Sequence, residues 1–523
     1  MSEKIPSFLI EDRDEFYKIP LYVPAVVKKT SCISKEERIK KVLEGGLNLF
    51  TIPSKYVSID LLTDSGTGVI SDAQKAAMER GDESYAGADS FYRLKDTIED
   101  ILGFQYFLPT HQGRGAEKVL DTVLVNPCVD IERKRLVNLA VNEEKLSGNA
   151  LQSRINDILD SKGEYYPDVN IPGNTHFDTT VGNILFSRAK PVDLVIDEAK
   201  NPAIEHPFKG NIDTVKLEKF INEMIERYGK GNLKKHIPYV LLTITCNSGG
   251  GQPVSMEAIR KTAEITRKHD LLLFFDIARY AENAFFIKER ENGYQEKSIR
   301  EIIKEMFSYA DGCYMSSKKD GIVPMGGFIA TRHEELYKQL SNINILFEGF
   351  NTYGGMSGLM MEALAQGLKE SATFEYLYDR INNVRYLGEE LKKAGIPIVN
   401  PIGGHAIFVD GRKFYEGVIP EDQFPAQALV INLYIETGIR AVEIGSFLKG
   451  RDPVTGENIR PAMDLMRLTI PRRKYNRDHY DVIVKGLKYL YENKSGAKGM
   501  DVIRETEPVD GIRHFTAKLR YVD

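Results

Sequence analysis

Residues 239–276 read YVLLTITCNSGGGQPVSMEAIRKTAEITRKHDLLLFFD and predict a strand, a helix and a second strand. The runs Tyr239–Thr245 and Leu271–Phe275 are continuous and apolar, which is typical of strands buried on both faces. Between them Ser255 can cap an amphipathic helix. Strand, helix and strand in this order indicate a βαβ unit within a parallel sheet covered by helices.

The same alternation continues on both sides of this unit. Phe104–Pro109 reads as a strand before a helical pattern, and Gly312–Met315 reads as a further short strand. From about Phe374 longer helices such as Tyr376–Gly395 alternate with short strands such as His405–Asp410. We therefore predict an α/β fold with a large, mostly parallel domain and a smaller α+β domain. The expected bounds are 71–372 for the large domain, and 1–70 with 373–523 for the small one.

Composition narrows the class of protein. The chain has 523 residues and a formal net charge of −5 of mixed sign, which argues against a nucleic-acid partner. The four cysteines are far apart and lack zinc-site spacing, so we expect a reduced, cytoplasmic setting. The N-terminal stretch MSEKIPSFLIEDRDEFYKIP has no apolar core, and no apolar run reaches about 20 residues. We therefore expect neither a signal peptide nor a membrane partner.

Residues 128–171 differ in composition from the flanking sequence. They are rich in charge and Asn, with helical fragments but no obvious strand. Unstructured connections longer than about 15 residues are uncommon in compact domains. We predict a surface insertion with one or two helices, either a solvent-exposed decoration or a segment that affects a pocket or subunit packing.

Polar residues follow the predicted strands of the large domain. In an open parallel sheet, ligands bind beyond the carboxyl ends of the strands. After the first strand, residues 111–115 read HQGRG, and glycines, a helix N-terminus and Arg114 together suit a phosphate. The motif is not a Walker loop, because no GK[ST] follows. Taken alone, it is equally a Gly-rich turn with a surface arginine.

Asp276 and the pair Lys318–Lys319 follow two further strands, 43 residues apart. A pyridoxal phosphate site requires a carboxylate for the pyridine nitrogen and a lysine for a Schiff base. Individually Asp276 is also a helix cap, and the lysines a solvated basic pair. Together with the phosphate loop they favour the cofactor site. The GGGQP run at 249–253 lacks GxGxxG spacing and is predicted to be a turn.

Nearly the whole chain resembles the β-eliminating lyases, the family of tryptophanase and tyrosine phenol-lyase. This resemblance implies a pyridoxal-phosphate-dependent fold of type I, similar to aspartate aminotransferase, and an amino-acid substrate. It further implies a potassium ion and a homotetramer whose active sites are shared across a dimer interface. The motifs that carry it are LLTDSGTGVISDAQ at 61–74, GDESYAG at 81–87, PTHQGRGAE at 109–117, MSSKKDGIVPMGG at 315–327 and LTIPRR at 468–473.

The resemblance also assigns roles to single residues. Lys319 matches the Schiff-base lysine and Tyr85 the general acid. The remaining cofactor contacts match Gln112, Gly113, Arg114, Phe177, Asn247, Asp276, Arg279, Ser316 and Lys318. The substrate carboxylate matches Arg472 with Thr63 and Ser65, the subunit-interface tyrosine is Tyr353, and the cation ligands are Glu83, Gly66 and Pro324.

Three positions bear on the substrate. Ile444 stands where the phenol-lyases have a phenol-binding arginine, Asp178 where they have threonine, and His514 where they have phenylalanine. This pattern implies cleavage of tryptophan to indole, pyruvate and ammonia, with Asp178 and His514 near the indole. Separately the three positions are also a core residue, a cap and a surface group. Alternatives are a tyrosine phenol-lyase, a lyase for another β-substituted amino acid, and a non-catalytic relative.

Overall fold

The computed structural model describes residues 29–142, 146–451, 457–505 and 513–522. The N-terminal stretch considered for a signal peptide and residues 143–145 of the predicted insertion lie outside these ranges. The strands are β1 Ile59–Asp60, β2 Tyr106–Thr110, β3 Asn170–Gly173, β4 Lys190–Asp193, β5 Tyr239–Thr243, β6 Leu272–Asp276, β7 Gly312–Ser316, β8 Gly327–Thr331, β9 Ala406–Asp410, β10 Ile439–Arg440, β11 Val442–Ile444, β12 Leu465–Thr469, β13 Met500–Arg504 and β14 Lys518–Tyr521.

Helices surround these strands, and within the described ranges no helix combines the length and apolar composition that a bilayer crossing requires. They are α1 Lys35–Glu44, α2 Asp72–Met78, α3 Asp89–Leu102, α4 Gly113–Leu124, α5 Asn126–Asn142, α6 Gly148–Leu159, α7 Asp178–Phe186, α8 Thr214–Tyr228, α9 Leu233–His236, α10 Met256–Lys268, α11 Tyr280–Arg290, α12 Ile299–Ser308, α13 Glu334–Phe347, α14 Gly358–Ser371, α15 Phe374–Lys393, α16 Gly411–Phe414, α17 Pro425–Thr437, α18 Ser446–Lys449, α19 Arg477–Glu492 and α20 Arg513–Thr516.

The largest sheet among the described residues has seven strands in the order β2-β8-β7-β6-β5-β3-β4. β8 is antiparallel to both of its neighbours, and the other pairings are parallel. Consequently β2 runs in the same direction as β7, β6, β5, β3 and β4. The carboxyl ends of these six strands therefore meet at one edge, where a parallel sheet presents its ligand site.

The predicted α/β class with a mostly parallel sheet is confirmed. Five predicted strands are present with ends shifted by at most two residues, as β2, β5, β6, β7 and β9. Ser255 accepts a hydrogen bond from the Ala258 N–H and caps α10 as expected. Strands β3, β4 and β8 are absent from the prediction, because β3 and β4 contain proline and β8 begins at the second glycine of a Gly-Gly pair.

The segment 128–171 carries most of α5 and all of α6, as its helical fragments predict. The prediction that this segment contains no strand is wrong at its C-terminal end, because Asn170 and Ile171 enter the main sheet in β3. α5 is also not detached from the core, since Val129 packs in one cluster with Ala116 of α4 and Ile184 of α7. The segment is therefore joined to the sheet at both ends.

Buried apolar residues cover both faces of the large sheet. Leu242 and Phe275 belong to one cluster, and their strand neighbours Leu241 and Phe274 belong to another on the opposite face. A separate large cluster combines residues between Val42 and Leu61 with residues between Val384 and Leu519. The domain bounds at 71–372, 1–70 and 373–523 stay a prediction.

We expect Gly312→Ala to destabilise the fold by about 1–3 kcal/mol, the usual cost of overpacking a core. A Cβ at Gly312 would lie 2.4 Å from Cε1 of Phe274 and 2.8 Å from the carbonyl oxygen of Ala330. The measurement is the denaturant midpoint of unfolding. Gly231→Ala is the matched control, because a Cβ there meets no atom within 4 Å. Equal midpoints for the two variants would contradict the prediction.

Candidate active site

The predicted site residues reach one edge of the sheet because of the strand directions. Gln112 follows β2, Phe177 follows β3 and Asn247 follows β5. Asp276 ends β6, and the Lys318–Lys319 pair follows β7. Sequence positions more than 200 residues apart are therefore brought together by the parallel arrangement alone.

A cleft opens at this edge of the sheet. All ten residues predicted to contact the cofactor line it, together with Ser65 from the predicted substrate set. Six further residues had no predicted contact with the cofactor or the substrate. The sequence-predicted lining residues are Gln112, Gly113, Arg114, Phe177, Asn247, Asp276, Arg279, Ser316, Lys318 and Lys319, and the additional ones include Glu117, Thr179, Thr243, Thr245 and Tyr314.

One end of the cleft is built for an anion. α4 begins at Gly113, so its free N–H groups face this end beside Arg114. A Cβ at Gly113 would lie 2.6 Å from Cβ of Ser316, so only glycine allows the loop to lie this close to β7. Lys318 adds a second cation, with Nζ 3.4 Å from Oε1 of Gln112. The donors and charges suit a phosphate.

Lys319 is buried in the middle of the cleft, with 8% of its surface exposed. Its Nζ lies 5.5 Å from the centre of the Phe177 ring. Burial and the nearby Arg279 guanidinium lower the pKa of Lys319 to about 8, against the opposing effect of Asp64 and Asp276. The amine is therefore neutral in a larger fraction of molecules than a solvated lysine would be.

Asp276 supplies a buried carboxyl on the neighbouring strand. Its Oδ1 accepts a hydrogen bond of 3.1 Å from the Ala278 N–H. Burial raises the pKa of Asp276, while the charges of Lys319 and Arg279 act in the opposite direction. A buried carboxyl of raised pKa is suited to share a proton with a basic ring nitrogen.

Asn247 carries a donor that lacks a partner in the described part of the chain. Its Oδ1 accepts from Nε2 of His405 at 2.7 Å and from Nη1 of Arg467 at 3.3 Å. Its Nδ2 is buried and unpaired, an arrangement that costs free energy unless a ligand accepts the bond. Pyridoxal phosphate has a ring oxygen for this donor, so the residues present fit that cofactor at its phosphate, its nitrogen and its hydroxyl.

Arg279 and Arg472 share a carboxylate that was not predicted. Arg279 binds Asp64 with two bonds, of 2.7 and 3.2 Å, and Nη1 of Arg472 lies 2.8 Å from the same carboxylate. Nη2 of Arg472 lies 2.8 Å from Glu282 and 2.7 Å from Asp320. Arg472 is therefore enclosed by three carboxylates and does not line the cleft, although it is predicted to bind the substrate carboxylate.

Other predicted residues lie just outside the cleft. Thr63 Oγ1 accepts from the Ser65 N–H at 3.1 Å. The Gly66 N–H donates to the Lys318 carbonyl at 2.8 Å, and a Cβ at Gly66 would lie 2.7 Å from the Pro324 carbonyl oxygen. These contacts place the loop that contains Thr63, Ser65 and Gly66 directly against the loop that contains Lys318 and Pro324.

Tyr85, Tyr353 and Glu83 lie on the surface of the chain instead. The Tyr85 side chain is 67% exposed, and its ring packs 5.6 Å from Tyr353 and 6.0 Å from Phe350, measured between centres. The Glu83 carboxylate accepts from the N–H groups of Gly358 and Leu359, at the start of α14. This chain alone thus does not bring the predicted general acid into its own cleft.

The three predicted specificity residues surround a buried arginine that sequence analysis missed. On β11 and β12 Val442 pairs with Arg467, so Ile444, two residues further, lies on the same face of this small sheet as Arg467. The charge of Arg467 opposes the rise in the pKa of Asp178 that burial causes. Burial and Arg467 together lower the pKa of His514 to about 4. His514 is buried, which excludes its interpretation as a surface group.

The missed residues left only weak signals in the sequence. Asp64 and Glu117 stand inside motifs already quoted for the resemblance, yet no strand-end argument selects them. Arg467 lies within a strand, five residues before Arg472. The signal that could have found it is an arginine among the apolar residues Leu465, Met466 and Leu468, because a charged group is rarely buried without a partner.

Comparisons with known proteins identify the family of this chain. The family described as "Beta-eliminating lyase" matches residues 60–485. A tyrosine phenol-lyase of Symbiobacterium thermophilum is 43% identical over 96% of this chain and 98% of its own length. A probable beta-eliminating lyase of Trichomonas vaginalis is 45% identical, covering 97% and 98%. A tryptophanase of Salinibacter ruber is 41% identical, covering 94% and 93%.

Solved structures of more distant proteins share the fold. A serine palmitoyltransferase of Sphingomonas wittichii has a TM-score of 0.52 at 13% identity, covering 88% of this chain and 96% of that chain. A serine palmitoyltransferase of S. paucimobilis with bound PLP has a TM-score of 0.51 at 13% identity, covering 88% and 97%. The predicted type I fold of pyridoxal-phosphate-dependent enzymes is confirmed.

We expect the reaction of the cofactor-free protein with pyridoxal phosphate to accelerate as pH rises through about 8. The neutral amine of Lys319 is the reacting form, and its pKa is lowered to about 8. The measurement is the rate at which a visible absorption band appears at each pH. Lys319→Ala should give no band, and Asp276→Asn should move the midpoint to lower pH because it removes a charge that favours the protonated lysine. A midpoint near the usual lysine value of about 10.4 would contradict the prediction.

Proposed function

This chain belongs to the β-eliminating lyase family, and we propose that it cleaves L-tryptophan to indole, pyruvate and ammonia with pyridoxal phosphate. The family and the lyase class are shared with relatives named tyrosine phenol-lyase and tryptophanase. The choice of tryptophan rests on the surroundings of Asp178. Its neighbours Phe177 and Thr179 both line the cleft, which supports a place for Asp178 beside the substrate.

The hydrogen bonding of Asp178 is the observation on which the choice of tryptophan depends most. Its side chain accepts a hydrogen bond from its neighbour, the Thr179 N–H at 2.6 Å. A carboxylate has two oxygens and accepts several bonds, so it retains capacity for an indole N–H. Ile444 contributes an apolar surface in place of a phenol-binding arginine. A phenol hydroxyl next to this side chain would leave water without gaining a hydrogen bond from it.

Pyridoxal phosphate, when bound, supplies an aldehyde for the substrate amine and a ring that withdraws electrons from the α-carbon. The protein residues do the remaining work. Lys319, once freed, removes the α-proton with an amine whose pKa of about 8 suits a base near neutral pH. Asp276 would hold a proton on the ring nitrogen, and Phe177 would pack against the ring. Arg472, helped by Thr63 and Ser65, receives the substrate carboxylate after one protein carboxylate yields its place.

Tyr85 is proposed to protonate the indole carbon that bears the side chain, from a second copy of the chain. The supporting observation is its exposure beside other solvent-facing apolar residues, including Phe347 and Phe350. A surface of this kind on a folded chain is typical of an interface. We therefore propose an assembly, a homotetramer by family resemblance, in which Tyr85 and Tyr353 complete the partner's site. Glu83 would meet the carbonyls of Gly66 and Pro324 across the same interface to bind potassium.

We expect indole to form from tryptophan at least about tenfold faster than phenol forms from tyrosine, because an apolar wall offers no partner for the phenol oxygen. Ile444→Arg should reduce kcat/KM for tryptophan by about tenfold and raise it for tyrosine, since a buried charge then needs an acceptor. Ile444→Val is the matched control and should leave the preference unchanged. Faster phenol release by the wild type would show that the protein is a phenol-lyase.

We expect sedimentation to give a mass well above the 59.1 kDa of one chain. Phe347→Asp should shift the mass towards one chain and reduce activity, because a charge in an apolar interface is unfavourable. Val215→Asp is the control, since Val215 is an exposed apolar residue of α8, far from Tyr85 in the sequence. Full activity in a species of one chain would exclude a shared site.

A further inference from the structure

A second buried carboxyl, Glu117, lies in the cleft with Asp276. It is on α4, five residues into the helix that presents the anion-binding end, and it is 5% exposed. Its Oε1 accepts from Oγ1 of Thr180 at 3.0 Å and of Thr179 at 3.3 Å. Its Oε2 accepts from Nδ2 of Asn183 at 2.9 Å. Three donors on two oxygens match an ionised carboxylate, which only accepts.

A short hydrogen-bonded chain leads from Glu117 to the strand beside Asp276. Thr180 Oγ1 lies 3.2 Å from the Tyr314 hydroxyl, and Thr180 donates to Glu117. Tyr314 is the register partner of Asp276 across β6 and β7. The carboxylate of Glu117 is thus linked to the strand that pairs with the strand of Asp276. Among the described residues, no cation is in ion-pair contact with this carboxylate.

The two carboxyls affect each other by charge. Burial, and then the charge of Asp276, raise the pKa of Glu117 to about 7, while its three donors act in the opposite direction. The cations that line the cleft are Arg114, Arg279, Lys318 and Lys319. The charge of Glu117, with those of Asp64 and Asp276, opposes the lowering of the Lys319 pKa. Two like charges in a water-poor site favour any cation placed between them or next to them.

We infer that Glu117 is a positioning residue that, through Asp276, favours the proton on the ring nitrogen of bound pyridoxal phosphate. The negative charge of Glu117 repels the negative charge of Asp276, so an ionised Asp276 is less stable without a cation beside it. A protonated ring nitrogen beside Asp276 relieves this repulsion, and a neutral ring cannot. The inference rests on the proposed use of pyridoxal phosphate and is independent of which amino acid is the substrate.

The test compares two cofactors on the cofactor-free protein. One is pyridoxal phosphate, and the other is its carbocyclic analogue, in which carbon replaces the ring nitrogen. Both keep the phosphate, the aldehyde and the hydroxyl, so their affinities differ only through the ring nitrogen. We expect Glu117→Gln to weaken pyridoxal phosphate by about threefold to tenfold and to leave the analogue unchanged. Affinity is measured by titration of the visible absorption band.

Two further variants control for structure. Thr179→Val removes only the longer bond to Glu117 and keeps the link to Tyr314, so it should lower the preference for the nitrogen cofactor less than Glu117→Gln does. Glu117→Asp keeps the charge and should restore most of that preference. If Glu117→Gln does not fold, Thr180→Val replaces it, since loss of this donor and of the link to Tyr314 should lower the preference in the same direction.

The outcomes separate the inference from the proposed function. An equal loss for both cofactors would show that Glu117 is only a structural tether between α4 and α7, and no change for either would show that its charge is not felt; both overturn the inference. Failure of the wild type to bind either cofactor would overturn the proposed use of pyridoxal phosphate itself. Loss confined to pyridoxal phosphate supports the inference.

Discussion

Charges held out of water at one edge of the sheet constrain this protein more than any other feature. Lys319, Asp276 and Glu117 are all buried there, and unpaired charges in such a place are costly. Hydroxyl and amide donors hold Glu117, and a backbone N–H holds Asp276. The opposite charges near Lys319 include Asp64 and Asp276. The parallel sheet matters because it delivers residues distant in sequence to the same few ångströms.

Much of this arrangement could be predicted from the sequence. Apolar runs such as those at β5 and β6 have one plausible structure, and a polar residue at the end of such a run lies at the sheet edge. Family motifs then supplied the roles, and all ten cofactor positions came together in one cleft. These successes share a cause, since each depends on local pattern plus the fixed direction of parallel strands.

The remainder could not be predicted because it depends on contacts between distant side chains. Glu117 looks like an ordinary helix residue until Thr180 and Asn183 are placed beside it. Strands β3 and β4 are short and contain proline, so propensity argues against them, and their neighbours in the sheet decide their structure. The exposure of Tyr85 reflects surfaces of the folded chain, which periodicity does not describe.

Asp64, Glu282 and Asp320 enclose Arg472, and this enclosure bears on its proposed role in binding the substrate carboxylate. A ligand carboxylate that reaches this guanidinium replaces a carboxylate already there, so the number of ion pairs does not increase. The displaced group needs a new partner or a proton, since an abandoned buried charge is costly. In the proposed function, such an exchange would limit the affinity for the substrate carboxylate and would let a carboxylate-containing product leave without the loss of an ion pair.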